Sequence, residues 1–301
     1  MRILVLLATY NGESFVEEQL NSIIHQSSVN VSLLIRDDCG NDGTLDFCKV
    51  FAKQHQNVHI LNHGDKRLGS ANNFFTLLKS VTDDFDYVAL ADQDDIWLKD
   101  KLKRAVEKLQ IQNADCYSSD VVAFFPNGKQ QYIKKSYPQK RFDYLFESPG
   151  PGSTFVMRQE FVGYLVDFIK KNQSHIQKIG HHDWFIYAFA RSSGYSWVID
   201  DYPGLLYRQH SANERGANKG IKQKFRRFKN LFLGDGVLQA QQILETLRLA
   251  PNSAIKNINF SVLGKMKLLT TPFCFRRKKT DSVLFFIVIF LSIFISRKGN
   301  G

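Results

Sequence analysis

Two patterns of apolar and polar positions alternate along residues 1–112. Short continuous apolar runs, such as residues 3–8, are typical of buried parallel strands. Each is followed by a longer stretch with helical spacing, as in residues 13–26, where Val16, Leu20 and Ile23 recur. The predicted strands are 3–8, 31–36, 58–61 and 87–91, and the predicted helices are 13–26, 44–54, 70–81 and 97–112. Repeated strand–helix units predict a doubly wound, mostly parallel sheet flanked by helices.

The alternation becomes weaker after residue 113. The predicted elements there are a turn at 150–153, strands at 154–157, 195–199 and 205–209, and helices at 159–171 and 182–190. From about residue 216 the pattern is helical and basic, with an apolar stripe at Phe225, Phe228, Leu231 and Phe232. Such a helix can lie on a membrane surface. We therefore divide the chain into a catalytic-looking domain, 1–215, and a membrane-associating extension, 216–301.

A final apolar run of thirteen residues, 283–295, follows four consecutive basic residues. As a helix it would measure about 20 Å, which is short of the roughly 30 Å hydrocarbon core of a bilayer. We interpret it as interfacial or re-entrant. A helix buried against its own protein is the alternative.

Composition and charge narrow the class of protein. Hydrophobic residues at 44% and charged residues at 23% of the 301 positions describe a folded protein. Four cysteines without a CxxC pair predict reduced thiols and a cytoplasmic protein. Residues 219–279 carry fourteen Lys or Arg against two acids, whereas residues 1–218 have a net charge of −2. Anionic lipid or nucleic acid would suit the basic part.

Three carboxylates, Asp92, Asp94 and Asp95, end the predicted strand 87–91. Carboxylates this close repel one another unless a cation or several donors neutralise them. In an extended chain Asp92 and Asp94 point to the same side, so both can face one hard divalent cation. Asp95 is expected to cap the helix predicted to begin near Trp97.

Polar loops also follow the first two strands. Thr9-Tyr10-Asn11-Gly12 ends the first strand, and Asp37-Asp38 opens a loop that continues to Gly43. Ligands of open α/β sheets bind beyond the carboxyl ends of the strands. We therefore expect these loops and the loop that contains Asp92 to line one crevice.

The chain resembles the family 2 glycosyltransferases, which have the GT-A type of fold, and in particular their bacterial rhamnosyltransferase-like members that build O-antigen or capsule. The resemblance covers residues 1–215. It rests on four motifs in order, which are the start at 8–12, Arg36-Asp37-Asp38 with 41–44, the block 91–97, and His182-Asp183-Trp184.

The resemblance implies roles on the donor side. Asp92 would contact the ribose or sugar and Asp94 a divalent cation, Mn²⁺ or Mg²⁺. Asp37 or Asp38 would accept the N3 proton of uracil or thymine, and Thr9 and Tyr10 would bind the nucleotide, with Tyr10 packed on the base. The alternatives are a turn or capping role for Asp38 and a half-buried aromatic at Tyr10.

Arg67 could reach the diphosphate, and a surface arginine is the alternative. His210 would complete the metal site, as it does in some family members, although a lone histidine is more often structural.

The resemblance also assigns the general base. Asp183 would remove the proton of the acceptor hydroxyl during direct displacement, which inverts the anomeric configuration. An Asp at the N-terminus of a helix is the structural alternative, and it is compatible with catalysis. The family usually has an acidic residue before this Asp, whereas this chain has His182.

The sequence therefore predicts an inverting, metal-dependent transferase of a hexose. The donor would be dTDP-rhamnose or a UDP-sugar, and the acceptor a lipid-linked oligosaccharide. The enzyme would be peripheral on the cytoplasmic face of an anionic membrane, with no nucleic-acid partner.

Two other classes compete with this prediction. An aspartyl-phosphate-type phosphatase would use Asp92 and Asp94, but its acidic pair follows the first strand rather than the fourth. A non-enzymatic basic lipid- or nucleic-acid-binding protein leaves the strand-end carboxylates unexplained. Phosphate-loop, dinucleotide and zinc motifs are missing from the sequence.

Overall fold

The computed structural model describes residues 1–62, 64–210, 235–250, 264, 266, 269–270 and 272–295. The strands are β1 Arg2–Thr9, β2 Asn30–Asp37, β3 Val58–Ile60, β4 Tyr87–Asp92, β5 Ile96–Trp97, β6 Cys116–Ser119, β7 Val121–Phe124, β8 Gln130–Ile133, β9 Val156–Arg158, β10 Trp197–Asp200 and β11 Leu205–Arg208. The helices are α1 Val16–Ile24, α2 Thr44–Gln54, α3 Ser70–Lys79, α4 Lys101–Ile111, α5 Gln159–Lys171, α6 Gln173–Ile176, α7 His182–Ser192, α8 Asp235–Leu247 and α9 Lys279–Ile295.

Seven strands form the main sheet, in the order β10-β6-β9-β4-β1-β2-β3. The pairs β1–β2, β1–β4, β2–β3 and β6–β10 are parallel, and β9 lies antiparallel between β4 and β6. This arrangement confirms the predicted mostly parallel, doubly wound sheet.

Side chains of β1 alternate between two apolar layers, because successive residues of a strand point to opposite faces. Ile3 and Val5 pack with α1, α2 and α4. Leu4 and Leu6 pack with the layer that contains α3, α5 and α7. The sheet is thus buried on both faces, which explains why β1 is a continuous apolar run.

A second, four-stranded sheet has the order β5-β11-β7-β8. Its strand β5 contains Ile96 and Trp97, which pair antiparallel with Leu206 and Leu205. The prediction that a helix begins near Trp97 is therefore wrong, because this long-range pairing takes both residues into a strand and α4 begins at Lys101. The strands β6, β7 and β8 were not predicted.

The C-terminal helices pack against the layer that contains α7. Ala240, Ile243 and Leu244 of α8 belong to its core, as do Phe285 and Ile289 of α9. Within the described residues, none of the helices has the length and apolar character needed to cross a membrane. The predicted apolar stripe at 225–232 lies outside the described residues.

Candidate active site

The carboxyl ends of β1, β2 and β4 meet at one edge of the main sheet. Thr9 lies opposite Asp37, and Ala8 lies opposite Asp92. The Thr9 hydroxyl donates to Asp37 Oδ2 at 2.8 Å, and the Gly40 amide donates to Asp37 Oδ1 at 2.7 Å. The three polar loops therefore line one crevice, as the strand order predicts.

Asp38 is buried and holds the loop that leads into α3. Its carboxylate accepts the backbone amides of Leu68 and Gly69, at 2.8 and 2.7 Å, and pairs with Arg36 at 3.2 Å. Gly69 has a φ of +82°, a conformation that favours glycine. Asp38 thus has the structural role of a turn residue, and Asp37 links two strand ends. Which of the two carboxylates contacts a base stays a prediction.

Tyr10 lies beside the loop after β4 and beneath Arg67. The Gln93 side chain makes two hydrogen bonds to the Tyr10 backbone. The Tyr10 amide donates to Gln93 Oε1 at 2.8 Å, and Gln93 Nε2 donates to the Tyr10 carbonyl at 2.9 Å. The Arg67 guanidinium lies 3.9 Å from the centre of the Tyr10 ring. Two residues predicted to bind the nucleotide are therefore in contact, and Arg67 covers a ring face on which a base could stack.

Asp94 and His210 form a close pair. His210 Nε2 lies 2.8 Å from Asp94 Oδ2, and the imidazole stacks on Phe15 with 4.6 Å between ring centres. Arg208 Nε donates to the Asp94 carbonyl at 2.8 Å, which ties β11 to the loop after β4. A carboxylate oxygen and an imidazole nitrogen this close are suited to bind one divalent cation.

No group of three or more His, Cys, Asp or Glu side chains within the described ranges forms a metal site. The donors that fit a cation are therefore the pair Asp94 and His210, with Asp92 at the end of the neighbouring strand β4.

Asp95 does not cap α4, so that prediction is wrong. The side chain is buried, and its Oδ1 accepts the Arg208 amide at 3.3 Å. Burial, followed by the charges of Asp94 and Asp92, raises the pKa of Asp95. Nearby, burial lowers the pKa of Lys101 to about 7 although the charge of Asp95 opposes this shift. The Lys101 ammonium lies 3.5 Å from the centre of the Trp97 ring.

Tyr207, on β11, has a pKa that several carboxylates raise. Burial raises its pKa, and the charges of Asp92, Asp95, Asp94 and Asp183 raise it further. All four carboxylates therefore lie within electrostatic range of this one phenol, which remains protonated at neutral pH. A shared site for Asp183 and the carboxylates of β4 stays a prediction.

Asp183 lies in the first turn of α7 and is partly exposed. Its Oδ1 accepts the Trp184 amide at 2.8 Å, and the Trp184 indole donates to the Tyr144 carbonyl at 2.9 Å. The residue in the N-cap position is His181. The Asp183 carboxylate is thus held by a backbone amide of its own helix and remains partly exposed.

Sequence reasoning did not assign roles to Gln93, Tyr207 or Arg208. Gln93 stands inside the block 91–97 that carries the resemblance, and Tyr207 and Arg208 come shortly before His210 in the chain. Their position near predicted ligands was the available signal. The contacts of Arg208 with Asp94 and Asp95 depend on the pairing of β11 with β5, which local sequence does not reveal.

Comparison with known proteins agrees with this geometry. The profile described as "Glycosyl transferase family 2" matches residues 4–173. The dTDP-rhamnosyl transferase RfbG of Shigella flexneri is 40% identical over 294 residues, which are 96% of this chain and 100% of that protein. The abequosyltransferase RfbV of Salmonella typhimurium is 30% identical over 40% of this chain and 36% of its own length.

Solved structures with the same fold are more distant in sequence. The mannosyltransferase PcManGT of Pyrobaculum calidifontis, in complex with GDP-Man and Mn²⁺, has a TM-score of 0.56 at 16% identity, covering 100% of this chain and 76% of that one. TarS of S. aureus with UDP-GlcNAc has a TM-score of 0.53 at 14% identity, covering 99% of this chain and 92% of that one. These likenesses concern the fold.

Proposed function

The chain belongs to glycosyltransferase family 2, and from this premise we propose that it transfers rhamnose from dTDP-rhamnose to a saccharide hydroxyl, with inversion at the anomeric carbon. The observation that carries the donor is the 40% identity to a dTDP-rhamnosyl transferase along that protein's whole length. A UDP-sugar is the alternative donor, because the N3 proton of uracil is the same as that of thymine.

Asp94 and His210 are the residues that would hold a divalent cation, Mn²⁺ or Mg²⁺. Their 2.8 Å separation supports this role, and the remaining coordination positions suit diphosphate oxygens. When bound, the cation neutralises charge on the departing diphosphate. Asp92, at the end of β4, would orient the ribose or sugar. Arg67 would approach the diphosphate when it leaves the face of Tyr10.

The nucleotide would lie over the ends of β1 and β2. Tyr10 would pack on the base, and Thr9 would keep Asp37 oriented through its hydroxyl. An aspartate there, Asp37 or Asp38, would accept the N3 proton. This contact excludes cytosine, which lacks that donor.

Asp183 would act as the general base. Sugar hydroxyls are poor nucleophiles, so a carboxylate that takes the proton during attack lowers the barrier. Its partial exposure in the first turn of α7 supports this role, as does the effect on the pKa of Tyr207 that Asp183 shares with Asp92 and Asp94. Attack on the face opposite the diphosphate inverts the configuration.

The acceptor would be a lipid-linked oligosaccharide at the cytoplasmic face of an anionic membrane. One face of α9 packs on the protein through Phe285 and Ile289, at 1% and 5% exposure. The other exposes Phe286 and Ile287, at 39% and 46%. Two exposed basic residues, Lys278 and Lys279, precede this apolar face, whereas Arg276 and Arg277 form ion pairs with Glu147 inside the protein. An interfacial helix combines these features, since it buries apolar side chains and attracts anionic headgroups.

A donor screen tests the function. The purified chain is incubated with dTDP- and UDP-sugars, Mn²⁺ and a lipid-linked disaccharide, and both nucleotide release and the acceptor mass are followed. We expect a mass increase of one deoxyhexose with dTDP-rhamnose. Phosphate release from small phosphomonoesters without sugar transfer would indicate the phosphatase class instead.

A further inference from the structure

Arg208 is the last residue of β11 and stands two positions before His210. It lies opposite Phe124 of β7, and the amide of the next residue, Gln209, donates to the Phe124 carbonyl at 2.9 Å. The Arg208 amide donates to Asp95 Oδ1 at 3.3 Å. The backbone that leads into His210 is therefore held by β7 and by the loop after β4.

The Arg208 side chain joins three further segments of the chain. Its Nε donates to the Asp94 carbonyl at 2.8 Å, and its Nη2 donates to the carboxylate of Glu18 on α1. The guanidinium carbon lies 4.5 Å from the centre of the Phe124 ring and 5.1 Å from that of Phe15. Two hydrogen bonds and two aromatic contacts leave this group little freedom, although the side chain is 17% exposed.

Phe15 also contacts the predicted metal ligand His210. The two rings are stacked, with 4.6 Å between centres and 27° between planes. One aromatic ring therefore contacts both the Arg208 guanidinium and the His210 imidazole. The two residues that would hold the cation are thus both tied to Arg208, Asp94 through its carbonyl and His210 through Phe15.

The acceptor atoms indicate a role in orientation rather than in charge pairing with the metal site. Arg208 bonds to the carbonyl of Asp94, whereas the carboxylate of Asp94 lies 2.8 Å from His210. A guanidinium paired with that carboxylate would compete with a divalent cation for its oxygens. Arg208 thus orders the loop through its backbone, and its charge is balanced by Glu18.

This geometry requires the shape of an arginine side chain. Nε and Nη2 belong to one rigid planar group, which donates to a carbonyl of the loop and to a carboxylate of α1. A lysine carries the same charge on a single nitrogen at the end of a flexible stem, so it cannot fix both partners at once. A comparison of the two side chains therefore separates orientation from charge.

We propose that Arg208 is a positioning residue of the divalent-cation site, which holds the loop after β4 and the end of β11 in the register that brings Asp94 to His210. This inference rests on the proposed cation role of those two residues. Glu18 and Phe15 extend the same cluster to the start of α1.

The test compares Arg208→Met, which removes the guanidinium, with Arg208→Lys, which keeps the charge. Arg2→Met is the matched control, because Arg2 is also ion-paired, with Asp86 at 3.7 Å, but lies at the opposite end of β1 from the site. For each protein we would titrate Mn²⁺ in the presence of dTDP and follow the EPR signal of free Mn²⁺, which falls as the ion binds. The Kd of dTDP in EDTA, kcat at saturating Mn²⁺ and the melting temperature are measured in parallel.

We expect Arg208→Met to raise the Kd of Mn²⁺ by about 10- to 100-fold, because residues that orient metal ligands commonly contribute this much to affinity. Arg208→Lys should bind Mn²⁺ nearly as weakly, since it restores the charge without the planar group. The Kd of dTDP in EDTA and kcat at saturating Mn²⁺ should stay close to the wild-type values, as should the Mn²⁺ affinity of Arg2→Met.

Two results would overturn the inference. One is a Kd of Mn²⁺ for Arg208→Met equal to that of wild type. The other is full recovery in Arg208→Lys, which would show that charge alone is needed. If Arg208→Met does not fold, Glu18→Gln and Phe15→Leu remove partners of the guanidinium instead, and a wild-type Kd of Mn²⁺ in both would equally refute the role of Arg208.

Failure of the proposed function gives a different result. A wild-type protein that binds no Mn²⁺ refutes the cation site itself and, with it, the role of Arg208. A wild type that binds Mn²⁺, with Arg208 variants that bind it equally well, refutes the role of Arg208 alone. Because the titration follows the metal and not the reaction, a different donor sugar would change neither result.

Discussion

The His210 imidazole lies 2.8 Å from the Asp94 carboxylate, although 116 positions separate the two residues in the chain. The pairing of β11 with β5 brings them together, because β5 begins two residues after Asp94 and β11 ends two residues before His210. Arg208 reinforces the contact through the Asp94 carbonyl.

Metal dependence follows from this pair. We expect Asp94→Asn to abolish metal-dependent turnover, and His210→Gln to raise the Mn²⁺ concentration needed for half-maximal activity by about 10- to 100-fold, because each removes a ligand. Activity is measured against Mn²⁺ concentration, with His59→Gln as the control. Superimposable curves for His210→Gln and wild type would contradict the ligand role.

The base is tested by Asp183→Asn. The amide cannot take a proton, so we expect kcat to fall by about 10²- to 10⁴-fold, while the Kd of dTDP measured by calorimetry stays unchanged. Asp167→Asn, on the exposed face of α5, is the matched control. Normal transfer by Asp183→Asn would show that another group removes the proton.

The structural role of Asp38 predicts an effect on stability. Asp38→Asn leaves the Arg36 guanidinium buried without its counter-ion and weakens two backbone hydrogen bonds. We expect the free energy of unfolding to fall by about 3–5 kcal/mol, measured by urea denaturation. Asp46→Asn, at an exposed position of α2, should change it by less than about 0.5 kcal/mol. Equal stabilities of the two variants would argue against this anchoring role.

The exposed face of α9 predicts membrane binding. We expect the double change Phe286→Ser and Ile287→Ser to weaken binding to vesicles containing anionic phospholipid by at least about tenfold, because two apolar side chains no longer enter the interface. Vesicle co-sedimentation measures this, and Ile111→Ser, at an 81% exposed position of α4, is the control. Transfer to a water-soluble acceptor should be unaffected. Equal binding by all three proteins would assign the membrane contact to another surface.

His182 predicts a dependence of stability on pH. Burial lowers its folded pKa to about 4, below the ordinary histidine pKa of 6.5, so the unfolded chain binds the proton more readily. The attraction of Asp183 opposes this shift, whereas the repulsion of His181 adds to it. The stability that neutral His182 contributes is therefore present above pH 6.5 and is lost as the pH falls toward 4.

Between pH 7.5 and 5.0 this loss should amount to about 2 kcal/mol of unfolding free energy. Urea denaturation at the two pH values would show it as a smaller decline for His182→Phe than for wild type. Parallel declines would mean that His182 does not titrate in this window.

The local pattern of apolar and polar residues was enough to predict much of the fold. The bounds of α2 and α5 agree with the predicted helices, because their amphipathic spacing is clear and their ends are polar. Ile96 and Trp97 continue the apolar spacing of α4 and were assigned to that helix. Only their partners Leu205 and Leu206, far along the chain, reveal the strand.

Some features of the candidate site could likewise be predicted from local sequence, and others could not. Strand-end position predicted the meeting of Thr9, Asp37 and Asp92, since parallel strands bring their ends together. The contact of Asp94 with His210 came from the resemblance, and spacing alone would not have given it. The burial of Asp95 depends on β11, because the Arg208 amide of that strand donates a hydrogen bond to Asp95. The sequence around Asp95 does not reveal this long-range contact.

The antiparallel strand β9 has a consequence for synthesis on the ribosome. It lies between β4 and β6, so the main sheet cannot close until residues 156–158 have emerged. The Asp94 carboxylate acquires His210 still later, when β11 joins the second sheet. The nascent chain therefore exposes the loop with Asp92, Asp94 and Asp95 before its sheets are complete. Pairing between strands far apart in the chain is slow, so it limits the rate of folding. The Asp94 and His210 side chains can therefore meet only after residue 210 has left the ribosome.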